Sequence, residues 1–390
     1  MGLNPEQPTP RISPASWQTS QVFHEGDSFF AALEREIDAA TISVDVEFYI
    51  FASDKTGHRV FDALCRAQAR GVDVRVVVDG IGSSGFSRTY GERAQEVGIQ
   101  FKIFHEVPWA WWWQQRYEKK GKRPRWAKVF RRLNKRNHRK ICIIDNRAAF
   151  VGSFNVTDYH CASLVGLSAW RDSGVLVKGP EVAVLCATFE EIWIGRLRRL
   201  RRRLRRKRQI SSPLVRLNVT SKQRREEYLD LLVRLVGSSK RVWITNAYFV
   251  PDGSLLRVLS VAAAEGVDVR ILVPSFSDVV FIPWVTSAFH FGLLKAGVKI
   301  FEYRGAVLHA KTMLIDDWAM IGSSNLNHRS LLHDLEVDIV ITDRDAITSM
   351  ENQFVIDLDR SAEVTLENWR KRPFLERFLG RLLVWFKYVL

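Results

Sequence analysis

The sequence predicts an α/β protein with a layered sheet in each of two similar halves, a pseudo-two-fold dimer folded from one chain. Three observations carry that expectation. A strand–helix–strand order recurs in both halves, each repeat helix ends at a glycine, and one short polar motif returns at the equivalent point of each half.

The elements follow in order. Residues 42–50 (ISVDVEFYI) and 242–250 (VWITNAYFV) are β-branched and aromatic runs of strand length. Each precedes an Asp-bearing turn and an Ala/Leu helix, Val60 to Arg70 and Leu255 to Glu265. Gly71 and Gly266 stand where a C-cap needs a left-handed residue. The next strands are nearly identical, GVDVRVVVD (71–79) and GVDVRILVP (266–274), and another Gly-led strand starts at Gly98 and at Gly297. The halves divide into residues 1–210 and 211–390, meeting near 196–213.

The motif that returns bears the chemistry. The first half reads Asn137-His138-Arg139-Lys140, four more residues to Asp145, then Gly152-Ser153-Phe154-Asn155. The second reads Leu308-His309-Ala310-Lys311, then Asp316 and Gly322-Ser323-Ser324-Asn325. Side chains alternate along a strand, so His138 and Lys140 share a face, as do His309 and Lys311. A hairpin turning at Asp145 or Asp316 returns Ser and Asn beside them. Such a cluster suits a phosphodiester: Lys, Ser and Asn hold the non-bridging oxygens, and a neutral imidazole attacks phosphorus. Asp145 and Asp316 read as turn residues. Asp172 and Glu336 each follow the His of their own half and could accept from its Nδ1, fixing the tautomer and stabilising imidazolium. Six residues separate Asp145 from Gly152 and five separate Asp316 from Gly322. Either the second hairpin is one residue shorter or Asp317 takes the turn.

Composition narrows the partners. The 390 residues are 46% hydrophobic and 26% charged, which excludes disordered and fibrous classes. Lys and Arg number 58 against 43 Asp and Glu, a net +15. Two segments hold the surplus. Arg116 to Lys140 carries +12, Arg196 to Arg208 carries +10, and the remaining residues sum to −7. Such surplus calls for a polyanion, either nucleic acid or an anionic membrane. A Trp run at 109–113 opens an insert of about 105–137, and Leu197, Leu200 and Leu204 stripe the second segment. Both features favour a membrane surface. The segment Phe374–Leu390 is amphipathic and reads as either a docked core helix or an in-plane anchor. The apolar stretch Val279 to Leu294 is too short to span a bilayer and reads as an acyl-chain entrance or as ordinary core. No signal peptide and no transmembrane span are expected. Four scattered cysteines without CxxC spacing argue against a zinc module and a disulfide scaffold, and are expected to be reduced.

The doubled His-x-Lys-x4-Asp…Gly-Ser pattern resembles the HKD signature of the phospholipase D superfamily, over roughly residues 20–360. Within it, Asp79-Gly-Ile-Gly-Ser83, Trp170-Arg-Asp172, Asn246-Ala-Tyr-Phe-Val-Pro251, Phe301-Glu-Tyr-Arg304 and Gly322-Ser-Ser-Asn-Leu-Asn327 with Arg329-Ser330 are similar to bacterial cardiolipin synthases without transmembrane helices. The resemblance implies two α/β sandwich lobes with one active site at their interface, a phosphohistidine intermediate, and no metal or other cofactor. It places His138, Lys140, Asp145, His309, Lys311 and Asp316 in the catalytic signature. One of His138 and His309 is then the nucleophile, with His138 preferred, and the other the general acid. Ser153, Asn155, Ser323 and Asn325 join the lysines as phosphate ligands. The implied reaction is phosphatidyl transfer between two phosphatidylglycerols, releasing glycerol, or from phosphatidylethanolamine, releasing ethanolamine. The implied location is peripheral, on the cytoplasmic face of the bacterial inner membrane.

Three rivals share these residues. A phospholipid hydrolase would use water as acceptor and give phosphatidic acid. A phosphodiesterase would lay nucleic acid along the basic inserts, although a two-motif chain with Trp and amphipathic segments suits lipid better and makes nucleic acid no obligatory partner. A non-catalytic membrane scaffold conflicts with two intact His-Lys pairs. The sequence fixes no oligomeric state.

Overall fold

The computed structural model describes residues 15–106, 135–194 and 211–385. Most of the Trp/basic insert (its residues 107–134) and the arginine-rich run (196–208) lie outside the described residues.

Two mixed sheets form, as the repeat predicts. The first has the order β1-β7-β6-β5-β2-β3-β4. Its strands are β1 (Thr19–Phe23), β2 (Ser43–Phe48), β3 (Asp73–Asp79), β4 (Gln100–Phe104), β5 (Ile141–Ile144), β6 (Ala148–Gly152) and β7 (Gly174–Lys178). The second has the order β15-β11-β10-β9-β12-β13-β14-β8. It contains β8 (Val215–Leu217), β9 (Arg241–Asn246), β10 (Asp268–Pro274), β11 (Lys299–Tyr303), β12 (Lys311–Ile315), β13 (Trp318–Gly322), β14 (Val337–Ile341) and β15 (Ser361–Val364).

The repeat is visible in register. β2 pairs in parallel with β3 from Ser43↔Asp73, and β9 with β10 from Arg241↔Asp268. β5 and β12 then add antiparallel to β2 and β9. The intervening helices are Lys55–Ala69 and Gly253–Ala264. Both begin earlier than the apolar pattern suggests, because Asp54 and Asp252 cap them by accepting from the backbone N–H groups of Gly57 and Leu255. Gly71 and Gly266 take φ of 87° and 92°, where a Cβ would be strained.

Period-two alternation explains how the lobes join. On one face of β5, β6 and β7, Cys142, Ile144, Phe150 and Leu176 pack with the helices Gly26–Asp38 and Lys55–Ala69. On the other face Ile141, Ile143, Val151, Val175 and Val177 meet Ile321, Val337, Ile339 and Ile341 of the second sheet. These strands are buried on both faces, so the sheets form the two middle layers of one body. Polar ties cross the same seam. The Trp17 indole donates to Val340 O at 3.0 Å, and Arg171 engages Asp357 through Nε at 3.0 Å and a terminal nitrogen at 2.9 Å.

The stretch Val279–Leu294 supplies the helix Ile282–Lys295, whose Leu293 belongs to the second lobe's core. The C-terminal segment forms a helix over Phe374–Val384 lying on it, and residues 386–390 fall outside the described region. Cys65, Cys142 and Cys161 are buried, Cys186 is half-buried, and all four are free thiols.

Candidate active site

Each His-x-Lys segment leads into the first strand of its hairpin, β5 or β12. Just before that strand each segment reaches across the seam. The His138 N–H donates to Leu335 O at 3.0 Å, and Leu335 N–H to Arg136 O at 2.9 Å. Reciprocally, His309 N–H donates to Arg171 O at 2.8 Å, and Arg171 N–H to Val307 O at 2.9 Å. These short parallel bridges carry Glu336 to His138 and Asp172 to His309.

The carboxylates are therefore exchanged between lobes, which corrects the expectation that each serves the histidine of its own half. His138 Nδ1 stands 3.1 Å from both Glu336 oxygens. His309 Nδ1 stands 2.7 Å from Asp172 Oδ2. An ionised carboxylate only accepts, so beside charged Asp172 or Glu336 the Nδ1 bears the proton and Nε2 is left as the reacting nitrogen. His309 is buried, and the His138 side chain keeps 13% of its surface exposed.

The serines reach the orienting acids. Ser153 Oγ donates to Asp172 Oδ1, and Ser323 Oγ donates to Glu336 Oε2 at 2.5 Å. Each hydroxyl also has a backbone acceptor in reach, Ser173 O at 3.0 Å and Val337 O at 3.3 Å, and in this structure the serines brace the orienting acids. Asn155 Oδ1 accepts from Ile50 N–H at 3.2 Å, while the buried Asn325 Oδ1 has no partner.

Asp145 and Asp316 are not beside the imidazoles, although the signature groups them with the catalytic residues. Each sits at a hairpin turn with φ of 50°. Asp145 Oδ1 accepts from the N–H groups of Ile42 at 2.7 Å and Ser43 at 3.1 Å. Asp316 accepts from Ser239, Lys240 and Arg241 at 2.9, 2.9 and 3.0 Å. Burial opposes the charge of both, yet these donors hold each below the usual carboxylate range. The spacing difference resolves as the shorter hairpin: Ile315 pairs with Trp318, whereas Ile144 pairs with Ala148. Asp316 keeps the turn, and the exposed Asp317 pairs with Arg344.

Two lysines complete the cluster. Lys140 Nζ donates to His138 O at 2.7 Å, and Lys311 Nζ donates to His309 O. Burial lowers Lys140 to about 7 and Lys311 to about 8, so both are poised to gain from an incoming phosphate anion. The acids differ. Burial raises Glu336 to about 7. Burial also opposes the Asp172 charge, but His309, His160 and Lys311 hold Asp172 firmly ionised. Burial and then the neighbouring lysine lower both histidines, His138 the more strongly.

His160 escaped the sequence reading. Its Nε2 accepts from Asn155 N–H at 3.2 Å, so Nδ1 bears the proton and faces Asp172 Oδ2 at 3.4 Å. In the second lobe Ser330 holds this place: its Oγ accepts from Asn325 N–H at 3.3 Å and donates to Glu336 at 2.7 Å. Both stand five residues after the motif asparagine, an internal repeat that the sequence alone could have revealed. Tyr49 lies 5.0 Å from the His138 ring, and Trp170 lies 5.7 Å from His309. Tyr248 borders His309 and donates to Asp278 at 2.7 Å. Among the described residues, no group of three or more His, Cys, Asp or Glu side chains is placed to hold a metal ion.

Comparison with known proteins agrees with this geometry. The family described as "Cardiolipin synthase, PLD-like domain" matches residues 33–193 and 231–358. Cardiolipin synthase A of Pseudomonas entomophila is 32% identical over 362 residues, spanning 92% of this chain and 72% of that protein. A cardiolipin synthase of Clostridium perfringens strain 13 is 32% identical, spanning 91% and 74%. Among solved structures, phosphatidylserine synthase of Haemophilus influenzae superposes with a TM-score of 0.71 over 96% of both chains at 13% identity, a likeness of fold. With matching sequence over most of its length and two complete His-Lys motifs meeting across one seam, the chain belongs to the cardiolipin synthase family of phospholipase D-like proteins.

Proposed function

We propose that the protein is a cardiolipin synthase that moves a phosphatidyl group between two phosphatidylglycerols through phosphohistidine. One observation carries the assignment of roles: the His138 side chain keeps 13% of its surface exposed and the His309 side chain 5%. Asp172 stays ionised and stabilises an imidazolium at His309, which suits a general acid. Burial lowers both rings, and His138, lowered the more strongly and the more exposed, suits a nucleophile.

In the first step His138 Nε2 attacks phosphorus and the bond to the headgroup glycerol breaks. For this step His309 carries a proton on both ring nitrogens, the imidazolium that Asp172 favours against burial, and its Nε2–H protonates the departing alkoxide. In the second step the neutral His309 takes the proton from the terminal hydroxyl of another phosphatidylglycerol. That oxygen attacks the phosphohistidine, releasing His138 and cardiolipin. Lys140 and Lys311 bind the non-bridging oxygens, where charge accumulates as phosphorus becomes five-coordinate. Glu336, Asp172, Ser153 and Ser323 act as positioning residues, and Asp145 and Asp316 hold the hairpins. The +15 net charge, the Trp-rich insert and the family support a peripheral location on the cytoplasmic face of the inner membrane. No described helix is long and apolar enough to cross a membrane.

The test is mass spectrometry of lipids after incubating the protein with phosphatidylglycerol vesicles, beside His138→Ala. Cardiolipin with free glycerol, absent from the variant, is expected. Phosphatidic acid without cardiolipin would replace transfer by hydrolysis. Ethanolamine release from mixed vesicles would name phosphatidylethanolamine as a donor.

A further inference from the structure

The helix Phe374–Val384 is inside out by the usual standard of a docked helix. Its inward side is seated through Gly380, where an added Cβ would lie 2.3 Å from Trp284 O, so only glycine lets the two helices approach this closely. Its outward side carries Phe374, Leu375, Phe378 and Leu382, continued by Trp385, all exposed; Phe374 and Trp385 are 74% and 84% exposed. These positions recur at helical spacing and form one apolar stripe.

The stripe also has a direction. Trp369, in the short helix Leu366–Arg370, donates to Ser287 O at 2.9 Å and stacks 5.0 Å from Phe291. Gly380 reaches Trp284, nearer the start of the helix Ile282–Lys295. The chain thus advances toward the 275–281 loop, where Phe276 and Val280 are also exposed. Asp278 of that loop takes the hydrogen bond from Tyr248, which borders His309. The helix and this loop thus both expose apolar side chains, and the loop reaches the edge of the site through Asp278 and Tyr248.

We propose that this surface, the outer face of 374–385 with Phe276 and Val280, is a docking face for an anionic phospholipid bilayer. It sets the His309 side of the site against the leaflet that holds the substrate. Charge chooses the occupant together with continuity to the site. Residues 366–385 contain five basic residues (Arg370, Lys371, Arg372, Arg377 and Arg381) against Glu367 and Glu376. A helix with an apolar stripe, a net basic segment leading into it and a Trp at its end matches an interfacial helix, whose rings sit at headgroup level. The choice of lipid also rests on the phosphatidyl-transfer reading, but the face is tested by binding alone.

The experiment is flotation of the full chain with phosphatidylglycerol/phosphatidylethanolamine vesicles, comparing wild type with the triple variant Phe378→Ser, Leu382→Ser, Trp385→Ser. We expect half-binding of the variant to need at least tenfold more lipid. At 0.5 M NaCl, where charge attraction is screened, the variant should stop floating while wild type persists. Turnover of short-chain phosphatidylglycerol dissolved as monomers should stay within twofold. Overlapping flotation curves would overturn the face. So would a variant whose loss of binding comes with a changed sedimentation mass, meaning a second copy covers it. A lowered melting temperature would overturn it too, by showing that the stripe is covered within the chain. Should the variant not fold, Phe378→Cys carrying an environment-sensitive dye gives the answer, with labelled wild type as background. A blue shift on vesicles supports the face, and an unshifted spectrum overturns it. If short-chain lipid is not turned over by wild type, the transferase reading fails while flotation still decides the face.

Discussion

Asp172→Asn is the most informative single change, because crossed pairing predicts which half of the reaction it damages. The carboxylate accepts from His309 Nδ1 at 2.7 Å, from Ser153 Oγ, and from Ser173 N–H at 3.1 Å. An amide leaves the shape nearly unchanged but removes the charge. A charge-assisted hydrogen bond of this kind contributes about 1.5–3 kcal/mol. Two unit charges about 4 Å apart at an effective dielectric constant of about 20 interact by about 4 kcal/mol. The loss should therefore fall between about 2 and 5 kcal/mol, on the order of 30- to several-thousand-fold in kcat at 1.4 kcal/mol per decade. The amide NH2 can also face Nδ1 and invert the tautomer; the equivalent change in a Ser-His-Asp triad costs about 10⁴. The assay compares phosphatidylglycerol with a phosphatidyl ester of p-nitrophenol, whose leaving group needs no protonation. Asp172→Asn should recover a stoichiometric burst of nitrophenolate, because His138 and Glu336 are untouched. Glu336→Gln should show no such rescue, because it damages the nucleophile. The opposite pattern would give His309 the attacking role. Equal rescue of both, or Asp172→Asn within threefold of wild type on phosphatidylglycerol, would refute the reasoning from crossed pairs.

Other consequences can be measured as directly. Asp145→Ala should destabilise the chain by about 2–3 kcal/mol in urea, the worth of several backbone donors at about 0.5–1.5 kcal/mol each, while the folded variant keeps kcat within twofold; a large loss of kcat at unchanged stability would return Asp145 to the chemistry. The Asp145 pKa is depressed on folding, so its stabilisation is present above the unfolded carboxylate value and lost as pH falls through the folded one, and Asp145→Asn should flatten the acid limb of the denaturation curve. Lys140 and Lys311 titrate near 7 and 8 in the free site, so the apparent KM for lipid should rise as pH increases past 8, and a flat profile to pH 9 would remove them as charged phosphate ligands. His160→Phe should lower kcat about tenfold with KM unchanged, and His160→Ser, which copies Ser330, should restore part of it with the alkaline limb shifted; equal loss in both would make His160 a packing residue only.

The repeat and the fold were legible because they depend on local periodicity: glycine at a left-handed C-cap, apolar alternation, and identical spacing in both halves. The neighbourhood of the candidate site residues was legible for the same reason, since His-x-Lys and Gly-Ser-x-Asn flank adjacent strands. What the sequence concealed was the exchange of Glu336 and Asp172. Pairing a residue with one in its own half is the natural reading of a repeat. The bridges at Leu335 and Arg171 are single, non-local contacts with no sequence periodicity. The serines escaped likewise: a hydroxyl's partner is decided by which carboxylate comes within reach, and those carboxylates sit one strand further on in the same lobe. His160 left a faint trace, because its counterpart is a serine and the repeat preserves position rather than residue type.

The exchange of acids has a consequence for how the protein is made. Glu336 lies 198 residues beyond the histidine it orients. A ribosome that has released only the first lobe has made His138 and Lys140 but not the carboxylate that aligns the ring. His309 meets Asp172 only once the later half has folded back onto the earlier one. On the proposed mechanism, such a nascent chain lacks an aligned pair of imidazoles. On that mechanism activity arrives when the two lobes dock, and a truncated or half-folded product is expected to be inert.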